Sequence, residues 1–277
     1  MNHLTEALEE IRRLKERRLV LHFPTLPVEF EGFRICLFSD LHLRGGRSNA
    51  IRCLGGPRHA PVFDALLAYL RERTFDLGCC AGDIQSSTAA DMETYLALAR
   101  GLFDASHPRF GWYVVRGNND SRRFMRRLGR AGVTVLNNRS VRLGLSTPPV
   151  YLVGVDDPHH EWHDVDAALR DVPADAFKIL LAHSPDVIGD AASHGVHLIL
   201  CGHTHGGQIR LPSVGAVVTQ TRVSRKYSWG LSRKRGTLMF TTSGVGWTFI
   251  PLRLNCPAEV VSITLRRGAA PHVDSLR

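Results

Sequence analysis

The sequence predicts an α/β fold. Short apolar runs alternate with helically periodic segments from residue 33 to residue 205, the order that builds a sheet with helices packed on its faces. Several of those runs end in Asp, Asn or His, and ligands in open α/β sheets bind at the carboxyl ends of strands. The size agrees: 277 residues at 44% hydrophobic allow a sizeable core, and 22% charged is ordinary for a globular chain.

In chain order, residues 4–18 (LTEALEEIRRLKERR) place Leu4, Leu8, Ile11 and Leu14 on one helical face. Acidic residues precede basic ones, as the helix dipole favours. This predicts an N-terminal amphipathic helix that packs on the main domain or a second subunit, with a membrane surface as the alternative. Residues 1–24 read as that extension and 25–277 as one domain. After Pro24 and Pro27, strands are expected at 33–40, 75–83, 112–118, 150–157, 177–184 and 196–205. Helices are expected at 62–73, 91–103 and 121–130, and near 161–171 and 186–194. The C-terminal part, with TLMFTTSGVG and EVVSITLR, is richer in strands.

No apolar run approaches the roughly 18 residues that span a bilayer. The N-terminus shows no apolar core followed by a small-residue cleavage site, so a cytoplasmic protein is expected. The six Cys form no metal or redox spacing and read as buried thiols in a reducing compartment. A net charge of +9 and a pI near 9.7 favour anionic partners: phosphorylated small molecules, nucleic acid or an acidic membrane surface.

The strand ends carry the chemistry. The first gives Asp40-Leu41-His42, the second Gly82-Asp83, the third Gly117-Asn118, and later ones His183 and His203-Thr204-His205. The seven candidates Asp40, His42, Asp83, Asn118, His183, His203 and His205 supply four imidazoles, two carboxylates and one amide oxygen. A mixed N/O set suits Mn, Fe or Zn better than Mg or Ca. The absence of Cys from it argues against structural zinc. Seven side chains exceed the needs of one open catalytic ion and match two divalent ions that share a carboxylate, a recognised device for phosphoryl chemistry. Manganese is favoured. Gly before Asp83, Asn118 and His203 suits tight turns of closely approaching backbone.

The ordered series SDLH, GD, GNND, AHSPD and GHTHGGQI resembles the calcineurin-like metallophosphoesterases, over about residues 25–267. The flanks LPVEFEGFRICLFSDLHL and SGVGWTFIPLRLNCPAEVVSITL resemble a bacterial subgroup of membrane-associated phosphodiesterases that includes UDP-diacylglucosamine pyrophosphatases. The resemblance implies a four-layer αββα sandwich, with residues 25–277 as the catalytic domain. By motif position, Asp40, His42 and His205 would hold one metal. Asn118, His183 and His203 would hold the second, and Asp83 would bridge. Asn119 and Asp120 become the catalytic candidates.

Two positions depart from the pattern. Relatives commonly read G-N-H-[DE], where the His contacts phosphate and protonates the leaving oxygen. Asn119 stands there; it donates a hydrogen bond but carries no proton near pH 7. Asp120 keeps the acidic position, as a brace for the loop. The common G-D-x-x-D appears as Gly82-Asp83-Ile84-Gln85-Ser86, without the last Asp, which puts metal tuning in question rather than binding.

Four basic or aromatic stretches remain. The Gly-rich loop 44–61 carries Arg44, Arg47, Arg52 and Arg58, as a phosphate-binding flap or a solvated loop. Residues 121–130 carry five Arg, as a solvated face or a contact for acidic lipid or an extended anionic substrate. Residues 156–164 (DDPHHEWHD) form a pocket rim or an ordinary loop. Residues 221–236 interleave Tyr227 and Trp229 with basic residues, for lipid headgroups or a hairpin, with nucleic acid disfavoured.

The leading expectation is a two-metal phosphoesterase that hydrolyses phosphodiester or pyrophosphate bonds of a nucleotide- or lipid-linked anionic substrate, with peripheral contact to an acidic membrane from its cytoplasmic side. The alternatives are a phosphomonoesterase and a non-catalytic metal-containing protein that holds lipid or nucleic acid.

Overall fold

The computed structural model describes residues 10, 12–43, 61–86, 92–269 and 272–276. Two mixed sheets lie face to face. The seven-stranded sheet comprises β1 (Leu14–Phe23), β2 (Arg34–Phe38), β3 (Leu77–Cys80), β4 (Trp112–Val114), β5 (Thr134–Val135), β14 (Ala258–Arg267) and β15 (His272–Leu276), in the order β15-β1-β14-β2-β3-β4-β5. The six-stranded sheet comprises β6 (Arg139–Leu143), β7 (Val150–Gly154), β8 (Phe177–Leu181), β9 (Leu198–Cys201), β12 (Gly230–Lys234) and β13 (Thr237–Thr241), in the order β12-β13-β9-β8-β7-β6. A small hairpin, β10 (Arg210–Leu211) with β11 (Gly215–Ala216), stands apart.

The central strands are apolar on both faces because both faces are covered. Ile35 and Leu37 of β2 join Ile179 and Leu181 of β8 and Leu198 and Leu200 of β9 in the core between the sheets. Cys36 and Phe38 point the other way, to a second core with α1 (Pro61–Glu72), α2 (Met92–Phe103) and α3 (Arg122–Arg130), which contribute Leu66, Tyr95 and Phe124. Leu180 and Ile199 face a third core with α4 (Val165–Leu169) and α5 (Ile188–Ser193), through Val165 and Ala191. The layers therefore run helix, sheet, sheet, helix, the four-layer sandwich expected. Five described cysteines are free and buried, as expected.

The N-terminal segment differs from its expectation. Residues 14–18, assigned to a helix, lie in β1. Leu19, Leu21 and Phe23 alternate into the inter-sheet core, a period of two that a helix cannot serve. All ten residues of β1 pair in parallel with Ala258–Arg267, and Arg17 Nε donates to Glu259 Oε2 at 2.8 Å. Pairing with residues some 240 positions away overrides a local helical pattern. The described part of the proposed extension is thus woven into the seven-stranded sheet; residues 4–9 and 11 lie outside the described residues, as does the basic loop 44–60. The helix expected near 161–171 shrinks to α4, capped where the Asp164 side chain accepts from Ala167 N. That near 186–194 divides into a 3-10 turn (Pro185–Val187) and α5.

Candidate metal centre

The loops after β2, β3, β4, β8, β9 and β13 meet over one end of the two sheets. The backbone stitches them together: Asp40 N donates to Gly82 O, Gly202 N to His183 O, and Val245 N to Ser39 O. Five of the seven ligand candidates sit in left-handed backbone: Asp40 (φ 54), His42 (44), Asp83 (53), His203 (71) and His205 (49). Non-glycine residues there are uncommon, and such strain concentrates at functional sites.

The three glycines expected at tight turns divide by role. Gly82 needs its positive φ of 88. A Cβ there would also meet the Gly117 backbone, while at Gly117 and Gly202 proximity alone decides: a Cβ at Gly117 would collide with the Asp83 carboxylate and backbone, and one at Gly202 with Ser39 and Asp40.

All seven side chains converge, in two groups. In one, His42 Nε2 and His205 Nε2 are 3.0 Å apart, with Asp40 Oδ1 4.0 Å from the first and 3.6 Å from the second. In the other, His183 Nε2 lies 2.9 Å from Asn118 Oδ1 and 3.1 Å from His203 Nδ1. Asp83 Oδ2 stands between the groups, 3.7 Å from His42 Nε2 and 3.4 Å from His183 Nε2. Each group of His and Asp places its ligand atoms within 4.8 Å of one another, all buried.

Backbone carbonyls orient two of the imidazoles. His183 Nδ1 donates to Ala81 O at 2.7 Å and His203 Nε2 donates to Gln220 O at 2.8 Å. Those bonds leave His183 Nε2 and His203 Nδ1 turned toward one another, where they could serve an ion, with the carbonyls orienting the rings as is usual at metal sites. Asp40 Oδ1 is buried with no hydrogen-bond partner, a costly arrangement unless a cation faces it. These donors fit two divalent ions sharing Asp83. In the metal-free chain burial works against a charged His183, but the Asp83 charge and hydrogen bond outweigh it and push its pKa up to about 10. Burial likewise opposes ionisation of Asp83, yet His183 holds its carboxyl well below the usual range. A metal entering there must displace that proton.

Asn119 and Asp120 occupy different positions. Asn119 donates to both oxygens of Asp83, from N at 2.8 Å and from Nδ2 at 2.7 Å. Asp120 is buried and accepts from Asp83 N, Gln85 N and Gly117 N at 2.8, 2.9 and 3.0 Å. Burial first, then the nearby Asp83 charge, pushes its pKa up to about 7. Ser86 occupies the position of the missing family Asp and is tied to Leu43 through its backbone. Gln85 Oε1 accepts from Ser121 N and Oγ, joining this loop to the start of α3.

The sequence did not single out Arg253, which is fully buried beside His205. It donates to the carbonyls of Ser243, Gly244, Gly246, Cys256 and Pro257, and so shapes the loop that packs on Asp40 and Leu41. Glu259, also buried, accepts from Arg17, Trp229 and Ser243 N. Both lie within the flank 243–265 that carries the resemblance, but nothing in that stretch marks either as part of the site until the fold brings them here.

The loop 156–164 is both structure and rim. Asp157 accepts from His159 N and His160 N, and Asp156 pairs with Arg116 at 2.7 Å. The His159 ring lies 4.7 Å from that of His203. Trp229 lies between Arg17 and Arg210, each 4.9 Å from its ring, and Tyr227 is buried, so the interleaved aromatics of 221–236 serve packing.

The site thus gathers paired imidazoles and carboxylates at the strand ends of an αββα sandwich. The Calcineurin-like phosphoesterase family matches residues 33–207. The uncharacterized metallophosphoesterase YkuE of Bacillus subtilis is 28% identical over 249 residues, covering 87% of this chain and 82% of its own. Phosphodiesterase YaeI of Escherichia coli is 35% identical over 138 residues, 50% of this chain and 49% of its own. A transmembrane protein with metallophosphoesterase domain from Danio rerio is 26% identical; the match spans 88% of this chain but 55% of that protein. Among solved structures, a dimetal phosphatase from Danio rerio superposes with a TM-score of 0.50 at 16% identity over 86% of this chain and 99% of its own, a likeness of fold. The chain belongs to the calcineurin-like phosphoesterase family, and is a metal-dependent phosphohydrolase.

Proposed function

We propose that the protein hydrolyses phosphodiester or pyrophosphate bonds of a nucleotide- or lipid-linked substrate at a dinuclear centre, with manganese as the favoured metal. The observation that carries this reading is Asp83 Oδ2, within 3.7 Å of one ligand group and 3.4 Å of the other. Asp40, His42 and His205 would hold the first ion; Asn118, His183 and His203 the second; Asp83 both. When bound, the ions supply Lewis-acid activation of water and neutralise charge at phosphorus. Asp120 acts through the loop, fixing the amides of residues 83, 85 and 117. Asn119, at the edge of the ligand set, gives one Nδ2 proton to Asp83 and keeps the second for a phosphoryl oxygen.

Asn119 also sets the leaving-group preference, because it holds no proton to give. A phosphate or nitrophenolate leaves without one; an alkoxide does not. Bis(p-nitrophenyl) phosphate and p-nitrophenyl phosphate share the nitrophenolate leaving group, so they test the bond type instead: with added Mn²⁺ the diester should be turned over faster. Faster monoester hydrolysis would instead identify a phosphomonoesterase. No turnover of any diester or pyrophosphate by the metal-loaded protein would remove the enzyme reading in this form. Asn119→His should raise kcat/KM on diphenyl phosphate by about 10²-fold, the low end of general acid catalysis, and on the nitrophenyl diester far less. Equal gains on both would remove the argument.

A lipid-linked substrate draws support from an apolar cavity of about 370 Å³ beside His205. Val217, Val218, Phe249 and Ile250 line it and are exposed, Phe249 at 81%. Gln208 ties the two sides together, donating to Thr248 O and Ile250 O. No described helix is long and apolar enough to cross a membrane. Flotation with anionic liposomes at low salt should fall severalfold in Phe249→Ser/Ile250→Ser. Flotation unaffected by this change would detach the patch from the membrane.

A further inference from the structure

A second cavity, of about 640 Å³, opens between α3 and residues 132–139. Arg116, Arg122, Arg126 and Arg139 line it, together with the apolar Met125 and Val135, and no carboxylate does. Arg116 is held from two sides: its Nε donates to Asp156 Oδ1 at 2.7 Å, and its guanidinium lies 4.1 Å from the Trp162 ring. Its Nη2 is buried and has no hydrogen-bond partner. Arg122 approaches the same ring, at 5.4 Å. Arg116 stands two residues before Asn118, and Arg122 three after Asn119, so one loop carries both a metal-ligand candidate and the wall of this cavity.

We propose that this cavity binds a second phosphate-bearing group of the substrate, of mononucleotide size, beyond the phosphorus that reacts. Arg116 has Asp156 as its counter-ion, but Arg122, Arg126 and Arg139 bring three further positive charges to the same space, and the planar forks of guanidiniums match phosphate oxygens two at a time. A buried N–H without a partner marks a place where a polar ligand atom is missing. The volume lies in the range of small-molecule sites and is more than one phosphate fills. The apolar wall suits the uncharged body attached to that phosphate. This assignment rests on the phosphodiesterase or pyrophosphatase reading and narrows it to substrates with two separated anionic groups.

The test uses two probes. Adenosine 5′-monophosphate is titrated calorimetrically into the full chain stripped of metal, where the charged cavity remains. Diadenosine pyrophosphate is used as a competitor of bis(p-nitrophenyl) phosphate in the Mn²⁺-loaded enzyme. The variant Arg126→Ala/Arg139→Ala removes two exposed side chains and leaves the metal centre alone. It should bind the monophosphate at least tenfold more weakly and raise the dinucleotide inhibition constant at least tenfold, with turnover of the nitrophenyl diester unchanged. Arg116→Gln, which keeps a donor for Asp156, should act in the same direction. Equal monophosphate affinity in parent and double variant, or no dinucleotide inhibition of the parent, would overturn the site. If the loaded parent turns over no diester, the phosphodiesterase reading fails and the monophosphate titration still decides the cavity.

Discussion

Asp83→Ala is expected to reduce diester turnover by about 10³-fold or more, at or beyond the upper end of what a single stabilising group contributes to a transition state. The effect is large because one side chain serves two groups. Asp83 Oδ2 lies between His42 and His183, and the carboxylate also accepts from Asn119 N and Nδ2. Removing it leaves two buried clusters of imidazoles with less negative charge to offset a pair of divalent cations. Metal content should fall from two ions per chain to one or none. Turnover and stoichiometry measured on the same preparation separate loss of metal from loss of fold, which circular dichroism checks. A variant that kept two ions and most of its turnover would show that Asp83 is not shared.

Arg253→Leu is expected to destabilise the protein by about 3–5 kcal/mol, the cost typical of removing one partner from a buried charged network. The guanidinium serves the carbonyls of residues 243, 244, 246, 256 and 257, all away from water. Leucine supplies no donor to any of them, and each unsatisfied group costs about 1–3 kcal/mol before relaxation. The consequence reaches the metal centre, because Val245 N and Gly246 N hold the carbonyls of Ser39 and Asp40. Urea denaturation should show a lower midpoint with an unchanged slope, and the stripped variant should rebind Mn²⁺ more weakly. An unchanged midpoint would mean that the 243–246 loop is held by its own turns.

The two effects mark what could be read from the sequence. Asp83 was legible: it ends an apolar run, follows Gly82, and has companions at the ends of four other runs, all of which arrive at the same place. Strand–helix alternation was legible for the same local reason, since β2, β3, β8 and β9 are apolar on both faces. Arg253 was not, because its role exists only once residues 243–246 and 256–257 fold around it. β1 is hidden in the sequence because Leu4, Leu8, Ile11 and Leu14 fit a helix, and the partner that makes Leu14–Phe23 a strand lies at Ala258–Arg267. β12 lies in the 221–236 stretch where a hairpin is an expected alternative, and pairs antiparallel with β13; β6 is hidden because it is a short, Arg-bearing edge strand, where charge protects an open edge and masks the alternating pattern. Asn119 was legible as a departure, but its grip on Asp83 emerges only when β3 and β4 lie side by side.

The central claim is that Asp83 is shared by two ions. Anomalous diffraction from crystals of the Mn²⁺-loaded protein tests it most directly. The account predicts two peaks about 3.5–4 Å apart, one among Asp40, His42 and His205, the other among Asn118, His183 and His203, with the Asp83 carboxylate reaching both. A single peak, or two peaks with Asp83 turned away from one of them, would contradict it.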